Sequence, residues 1–259
     1  MTALPLSINE LGEGTPVIIL HGLFGRRRNW QAIQKRLATD ARIITADMRN
    51  HGDSPWDDEM SYPAMATDLA RLIKELDAGP CFVVGHSMGG KAAMVLALTE
   101  PELVKGLMVI DIAPVPYKHT YQPYIDAMRK VPLDELERRS QAEDYLEDAI
   151  TDPGIRAFLL QNLGQDDEGL KWQVNLSAIE NGLPNLLGFP NDIGDPYDGP
   201  SLFLRGGASD FVEDAHLPII DSLFPMASHA DIHGAGHWVH AEKPEEVIRQ
   251  IGDFTKANA

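Results

Sequence analysis

Residues 81–98 read Cys81-Phe82-Val83-Val84-Gly85-His86-Ser87-Met88-Gly89-Gly90-Lys91-Ala92-Ala93-Met94-Val95-Leu96-Ala97-Leu98. The opening apolar run, bounded by Gly85, has the pattern of a buried strand. From Met88 to Leu98 the Ala-, Leu- and Met-rich stretch predicts a helix. Between them Gly85-x-Ser87-x-Gly89 is a strand-turn-helix signature that presents a serine hydroxyl at the tip of a tight turn. The helix start beyond it offers free backbone N–H groups and the positive end of a dipole, suited to a developing oxyanion. Ser87 is therefore the candidate nucleophile.

Working outward, further short apolar runs alternate with helical patterns. Strands are expected at Val17–Leu20, Arg42–Ala46, Cys81–Gly85, Leu107–Asp111, Ser201–Leu204 and Ala230–His233. Helices are expected near Trp30–Leu37, Tyr62–Leu76, Met88–Leu98, Asp214–Leu223 and Pro244–Phe254. Most of these strands are continuously apolar rather than alternating, as in a parallel sheet covered on both faces by helices. Leu4 to Glu10 alternates, which predicts an antiparallel edge. Residues 113–199 break the rhythm with helix-like patterns (Leu133–Arg139, Ala142–Ala149, Ile155–Leu163, Gly169–Asn181) and no convincing strand. So long a stretch is not a loop in a compact domain. It is expected to be a helical cap inserted into a core built from residues 1–112 and 200–259, above the strand ends where open α/β sheets bind ligands.

A serine hydroxyl needs a base to take its proton. Of nine histidines (21, 51, 86, 119, 216, 229, 233, 237 and 240), His237 is best placed, in Gly234-Ala-Gly236-His237-Trp238 after the last strand. His86 should point away from its neighbour Ser87, and His21 should support its own turn. The acid that orients the base has two candidates. Asp210 follows the strand after the cap and gives the order Ser, Asp, His. Asp111 ends the strand before the cap and is the alternative, with anchoring of the cap hinge as its other role.

Two backbone donors are needed for an oxyanion hole. Met88 N–H is one, and the loop His21-Gly22-Leu23-Phe24-Gly25 supplies the other, with Leu23 chosen and Phe24 next. Phe24 and Trp238 are the candidate substrate contacts, in a pocket expected to be mainly apolar. Asp47-Met-Arg49-Asn-His51-Gly-Asp-Ser54 has the mixed charge of an internal hydrogen-bonded loop bracing the elbow. Arg26-Arg27-Arg28 reads as a solvated surface run, or as a grip on an anionic substrate group.

The chain has 259 residues and a formal net charge of −17. That charge repels phosphate backbones, so no nucleic-acid partner is expected. No run is long enough to span a membrane, and Met1 to Gly14 lacks the features of a signal peptide. One cysteine, Cys81, allows neither an internal disulfide nor a thiolate metal site, and a cytoplasmic setting is expected. No metal-ligand spacing or phosphate-binding loop appears, so no metal and no cofactor is expected.

Taken together, His21–Gly25, Asp47–Ser54, Gly85–Gly90 and Gly234–Pro244 resemble the capped α/β-hydrolase esterases, in particular the small bacterial YbfF-type esterases and their mitochondrial relatives. The resemblance implies hydrolysis of small or acyl carboxylic esters, extending to acyl thioesters, without a cofactor. It implies Ser87 as nucleophile, His237 as base, and the Leu23 and Met88 amides as the oxyanion hole. Some relatives lack an aspartate at position 210, so the acid stays open between Asp210 and Asp111. A lyase or C–C bond hydrolase on the same three residues, with Arg26–Arg28 holding carboxylates, is the alternative activity. Epoxide hydrolases and dehalogenases of this fold use aspartate at the elbow, so Ser87 argues against both.

Overall fold

The structure is a computed structural model that describes residues 2–259 apart from Glu168 and Asp192. Its elements in chain order are β1 (Ile8–Leu11), β2 (Pro16–Leu20), α1 (Gln31–Leu37), β3 (Arg42–Ala46), α2 (Tyr62–Glu75), β4 (Cys81–His86), α3 (Met88–Thr99) and β5 (Val104–Ile110). Then come α4 (Gln122–Arg129), α5 (Ala142–Glu147), α6 (Pro153–Leu160), β6 (Leu163–Asp166), β7 (Gly169–Trp172) and α7 (Leu176–Leu187). The chain ends with β8 (Ser201–Gly206), α8 (Leu217–Leu223), β9 (Ala227–Ile232), α9 (Val239–Glu242) and α10 (Pro244–Ala257).

Seven strands form one sheet in the order β1-β3-β2-β4-β5-β8-β9. All neighbours are parallel except β1, which pairs antiparallel with β3 from Ile8 opposite Ala46 to Leu11 opposite Ile43. The continuous apolar runs are explained by burial on both sides. In β2, Ile18 and Leu20 join a core with α2 and α3, while Val17 and Ile19 join a second core with Trp30, Ile33, Val247 and Phe254 of the opposite layer. Alternate residues of a strand point to opposite faces, so a doubly covered strand must be apolar at every position.

Between β5 and β8 lies the inserted segment. It carries α5 and α6 close to where helices were expected, α4 where none was expected, and an unexpected hairpin, β6 against β7, with Leu163 opposite Trp172 and Asp166 opposite Gly169. The expected helix at Gly169–Asn181 is therefore corrected. Asn175 caps α7 by accepting from the Ala178 amide at 3.1 Å, so the helix starts only at Leu176. Strands four residues long leave too little alternation to be told from a helical pattern. Leu133–Arg139 is likewise not a helix but lies across two separate 3₁₀ turns.

Candidate active site

Ser87 stands between β4 and α3 with φ 52° and ψ −118°, a conformation that a residue with a side chain rarely adopts. The glycines around it are required by close approach. A Cβ on Gly85 would lie 2.3 Å from the Gly89 carbonyl oxygen, and one on Gly89 would lie 2.6 Å from the His21 carbonyl oxygen. The turn is pinned to the sheet by the Ser87 amide, which donates to the Ile110 carbonyl at 3.1 Å.

The loop after β9 brings His237 over this turn. Its Nε2 is 3.1 Å from Ser87 Oγ, and its Nδ1 is 2.8 Å from Asp111 Oδ2. A carboxylate only accepts, so Nδ1 carries the proton and Nε2 is left to accept from the serine. The Asp111 carboxylate is fully buried. It also accepts from the Gly206 amide at 2.9 Å and from the Ser209 hydroxyl at 2.5 Å. Phe211 stacks on the imidazole at 3.6 Å between ring centroids. Asp210, the residue favoured by chain order, does not reach His237. It is exposed at the rim of the cavity and has no hydrogen-bond partner among the described residues. The physical reason lies in β5: Asp111 has φ 52°, and its amide donates to Leu204 at 2.8 Å, which fixes the turn that carries its carboxylate to His237.

His86 behaves as expected, with Nε2 donating to the His237 carbonyl at 2.8 Å, and burial holds its pKa well below the usual value. It ties down the backbone of the loop that carries the imidazole.

The loop after β2 meets the elbow closely: a Cβ on Gly22 would lie 3.1 Å from Ser87 Cβ. Phe24, with φ 58°, has its amide committed to His51 Nε2 at 3.2 Å and its carbonyl to Asn162 Nδ2 at 2.6 Å. The Leu23 and Met88 amides have no hydrogen-bond partner among the described residues, and both residues line a small cavity with Ser87. His51 must be neutral to accept from Phe24, and burial lowers its pKa to about 3. His21 accepts from the Met48 amide through Nε2 at 2.9 Å and donates through Nδ1 to the Gly22 carbonyl, and burial lowers it to about 4.

The Asp47–Ser54 loop is internal and hydrogen-bonded, but it braces the Leu23–Arg27 loop and the insertion rather than the elbow. Asp47 binds the backbone and side chain of Arg27, and the Gly52 amide donates to Gln173 at 2.8 Å. The three arginines separate in role. Arg26 is buried and reaches the insertion, donating to the Gln161 carbonyl at 3.0 Å and Gln173 Oε1 at 2.8 Å. Arg27 pairs with Asp47 and Asp53, and Arg28 is exposed. None of them lines the cavity at Ser87.

That cavity has a volume of about 290 Å³. Core and insertion both wall it: Leu23, Phe24 and Trp238 from the one, Tyr124, Ile155 and Phe158 from the other. Its walls are mainly apolar, and Phe24 and Trp238 both face it.

A family profile described as the alpha/beta hydrolase fold matches residues 15–244. The chain belongs to that family. It is 43% identical over 252 residues to a protein of Xenopus laevis named an sn-1-specific diacylglycerol lipase, covering 94% of this chain and 80% of that one. It is 36% identical to esterase YbfF of Escherichia coli K12, with 92% of each chain covered. A solved structure described as a marine microorganism esterase superposes with a TM-score of 0.94 at 37% identity, covering 97% of this chain and 100% of the other. This α/β-hydrolase is thus an enzyme, and the relatives just described are named esterases and a lipase.

Three residues around the hydrolase site went unnoticed in the sequence. Ser209, next to Asp210, carries the short bond to Asp111. Asn162 has no motif that signals it. Lys91, on the elbow helix, is buried and donates to the carbonyls of Val115 at 2.9 Å, near the start of the insertion, and of Gly188 at 2.5 Å, just after α7. Burial lowers its pKa to about 7.

Proposed function

We propose that this α/β-hydrolase is a carboxylesterase that works through an acyl-enzyme on Ser87. The observation that carries the reading is the unbroken hydrogen-bonded chain from Ser87 Oγ through His237 to the buried Asp111 carboxylate. Ser87 Oγ attacks the ester carbonyl carbon and its proton passes to His237 Nε2. The oxyanion receives the Leu23 and Met88 amides, while Asp111 stabilises the imidazolium. The bond to the leaving oxygen then breaks, and His237 gives that oxygen its proton, releasing the alcohol. Water attacks the acyl-enzyme with His237 again taking a proton. Collapse returns the proton to Ser87 Oγ and frees the acid.

Residues 113–199 act as the cap of this site, over a core of residues 1–112 and 200–259. Their support for that role is the wall they contribute to the cavity. Small apolar esters suit the cavity better than coenzyme A thioesters: no cation lines it, and Asp210 places a carboxylate at its rim. Lyase or C–C cleavage on a carboxylate-bearing substrate loses its support with Arg26 and Arg27, which are engaged within the protein. No helix among the described residues is long and apolar enough to cross a membrane. A cytoplasmic setting agrees with a single buried cysteine.

The test is a hydrolysis panel on wild type and Ser87→Ala, combined with labelling by a fluorophosphonate. Ester turnover abolished by the substitution, with the label on Ser87, is the expected result. A labelled Ser87 with no ester or thioester turnover would move the assignment to the lyase or C–C hydrolase chemistry.

A further inference from the structure

Two cavities meet at Ser87. They share Leu23, Ser87, His119, Tyr121 and Phe211, so they are contiguous, but they differ in size and in their remaining walls. The larger, about 290 Å³, includes His237 and Phe158. The smaller, about 20 Å³, includes Met88, Tyr62, Lys91 and Leu186 and does not touch His237.

An ester held at Ser87 sends its acyl and alcohol halves in different directions. The leaving oxygen must come within hydrogen-bond reach of His237 Nε2, the group that protonates it. His237 belongs to the wall of the larger cavity alone, so the alcohol half occupies that cavity and the acyl half is left with the smaller. We infer that the smaller cavity is a short-acyl site, and that the substrates are acetyl or propionyl esters of bulky apolar alcohols. This deepens the esterase reading above and rests on it.

The volumes support this division. A single water needs roughly 10–15 Å³ of such space. A cavity of about 20 Å³ therefore admits one or two groups of that size, a methyl or an ethyl. The walls that would have to retreat for a longer chain are held by polar ties. Tyr62 donates its hydroxyl proton to the Leu186 carbonyl at 2.7 Å. Lys91 Nζ bonds the Val115 and Gly188 carbonyls, lies 3.5 Å from that of Leu187, and sits 4.7 Å from the centre of the Tyr117 ring. With its three N–H bonds directed at carbonyls, Lys91 has no donor left for a carboxylate. The acyl group that fits is therefore neutral as well as short.

The experiment uses two ester series on the purified protein. One keeps p-nitrophenol and lengthens the acyl group from acetate to octanoate. The other keeps acetate and enlarges the alcohol from ethanol through hexanol to 2-(1-naphthyl)ethanol, so that every leaving group is a primary alkoxide. In the first series kcat/KM should peak at acetate or propionate and fall about tenfold or more by hexanoate, the scale on which a pocket discriminates single methylenes. In the second it should rise with alcohol size. Leu186→Ala, which opens only the smaller cavity, should move the acyl optimum to longer chains. Phe158→Ala, which opens only the larger, should change the alcohol ranking and leave the acyl optimum in place. If Leu186→Ala fails to fold, the wild-type series and Phe158→Ala decide. A wild-type optimum at hexanoate or longer, or an acyl optimum that moves with Phe158→Ala, would overturn the assignment while leaving ester hydrolysis standing. Absence of turnover across both series, with Ser87 still labelled by a fluorophosphonate, would overturn the esterase reading and this inference with it.

Discussion

The carboxylate of Asp111 lies 2.8 Å from His237 Nδ1, although 126 residues and the whole insertion separate the two in the chain. Their meeting depends on the parallel pairing of β5 with β8 and of β8 with β9, which brings the ends of the three strands side by side. Asp111 leaves the end of β5 and His237 follows β9. Asp210, on the loop after β8, is nearer to His237 in sequence and yet stands outside.

The two aspartates therefore make opposite predictions. Asp111→Asn removes the acceptor that fixes the His237 tautomer, and kcat should fall by roughly 10³–10⁴-fold. Asp210→Asn should cost less than tenfold. Steady-state kinetics of both variants on one ester decide the matter, and the reverse ranking would return the acid role to Asp210.

Ser209 supplies the shortest bond to the Asp111 carboxylate, 2.5 Å from its hydroxyl to Oδ2. Hydrogen bonds to a charged group contribute about 1.5–3 kcal/mol. Ser209→Ala should lower kcat by about tenfold with little change in KM, since the bond supports the base rather than the substrate. Ser209→Thr keeps a hydroxyl and should recover most of the rate. Equal loss in both variants would point to packing of the loop instead.

Legibility in the sequence followed the range of the interaction. The elbow was readable because strand, turn and helix are contiguous, and because Gly85 answers to a collision within the same turn. The central strands β2 and β4 were readable because burial on two faces leaves almost no polar position. The choice between two aspartates was not, because both follow a strand end and only the positive φ of Asp111 directs its carboxylate to the base. The roles of Arg26 and Asn162 were hidden for a related reason. Their partners lie 135 and 138 residues away, and no spacing rule spans such a distance.

Asn162 offers a test of how the insertion supports the oxyanion loop. Its buried Nδ2 donates to Phe24 at 2.6 Å and to Leu159 at 3.2 Å, joining the core loop to the end of α6. Asn162→Ala leaves the Phe24 carbonyl without that donor, which should lower stability by about 1–3 kcal/mol. The freed loop carries the Leu23 amide, so kcat should fall more than KM rises. Urea denaturation and steady-state kinetics on the same preparation separate the two effects. A destabilised variant with unchanged kcat would show that the loop holds its shape without the insertion.

Acid should weaken the fold through its buried histidines. His21 is lowered to about 4, and His51 and His240 to about 3, in each case chiefly by desolvation. The unfolded chain binds protons at these sites near pH 6.5 while the folded protein still refuses them, so stability falls as the pH drops from about 6.5 toward 4. For His21 alone the difference corresponds to about 3 kcal/mol once the pH reaches its folded value. Above pH 6.5 both states are neutral and the contribution is fully present. Thermal melts should therefore show Tm nearly constant from pH 8 to 7 and declining steadily between 6.5 and 5, before most carboxylates titrate. Activity lost in this range should follow unfolding alone, because folded His51 stays neutral and keeps accepting from the Phe24 amide until the pH nears 3. A Tm that stays level from pH 6.5 to 5 would mean that these histidines take up protons in the folded protein as readily as in the unfolded chain.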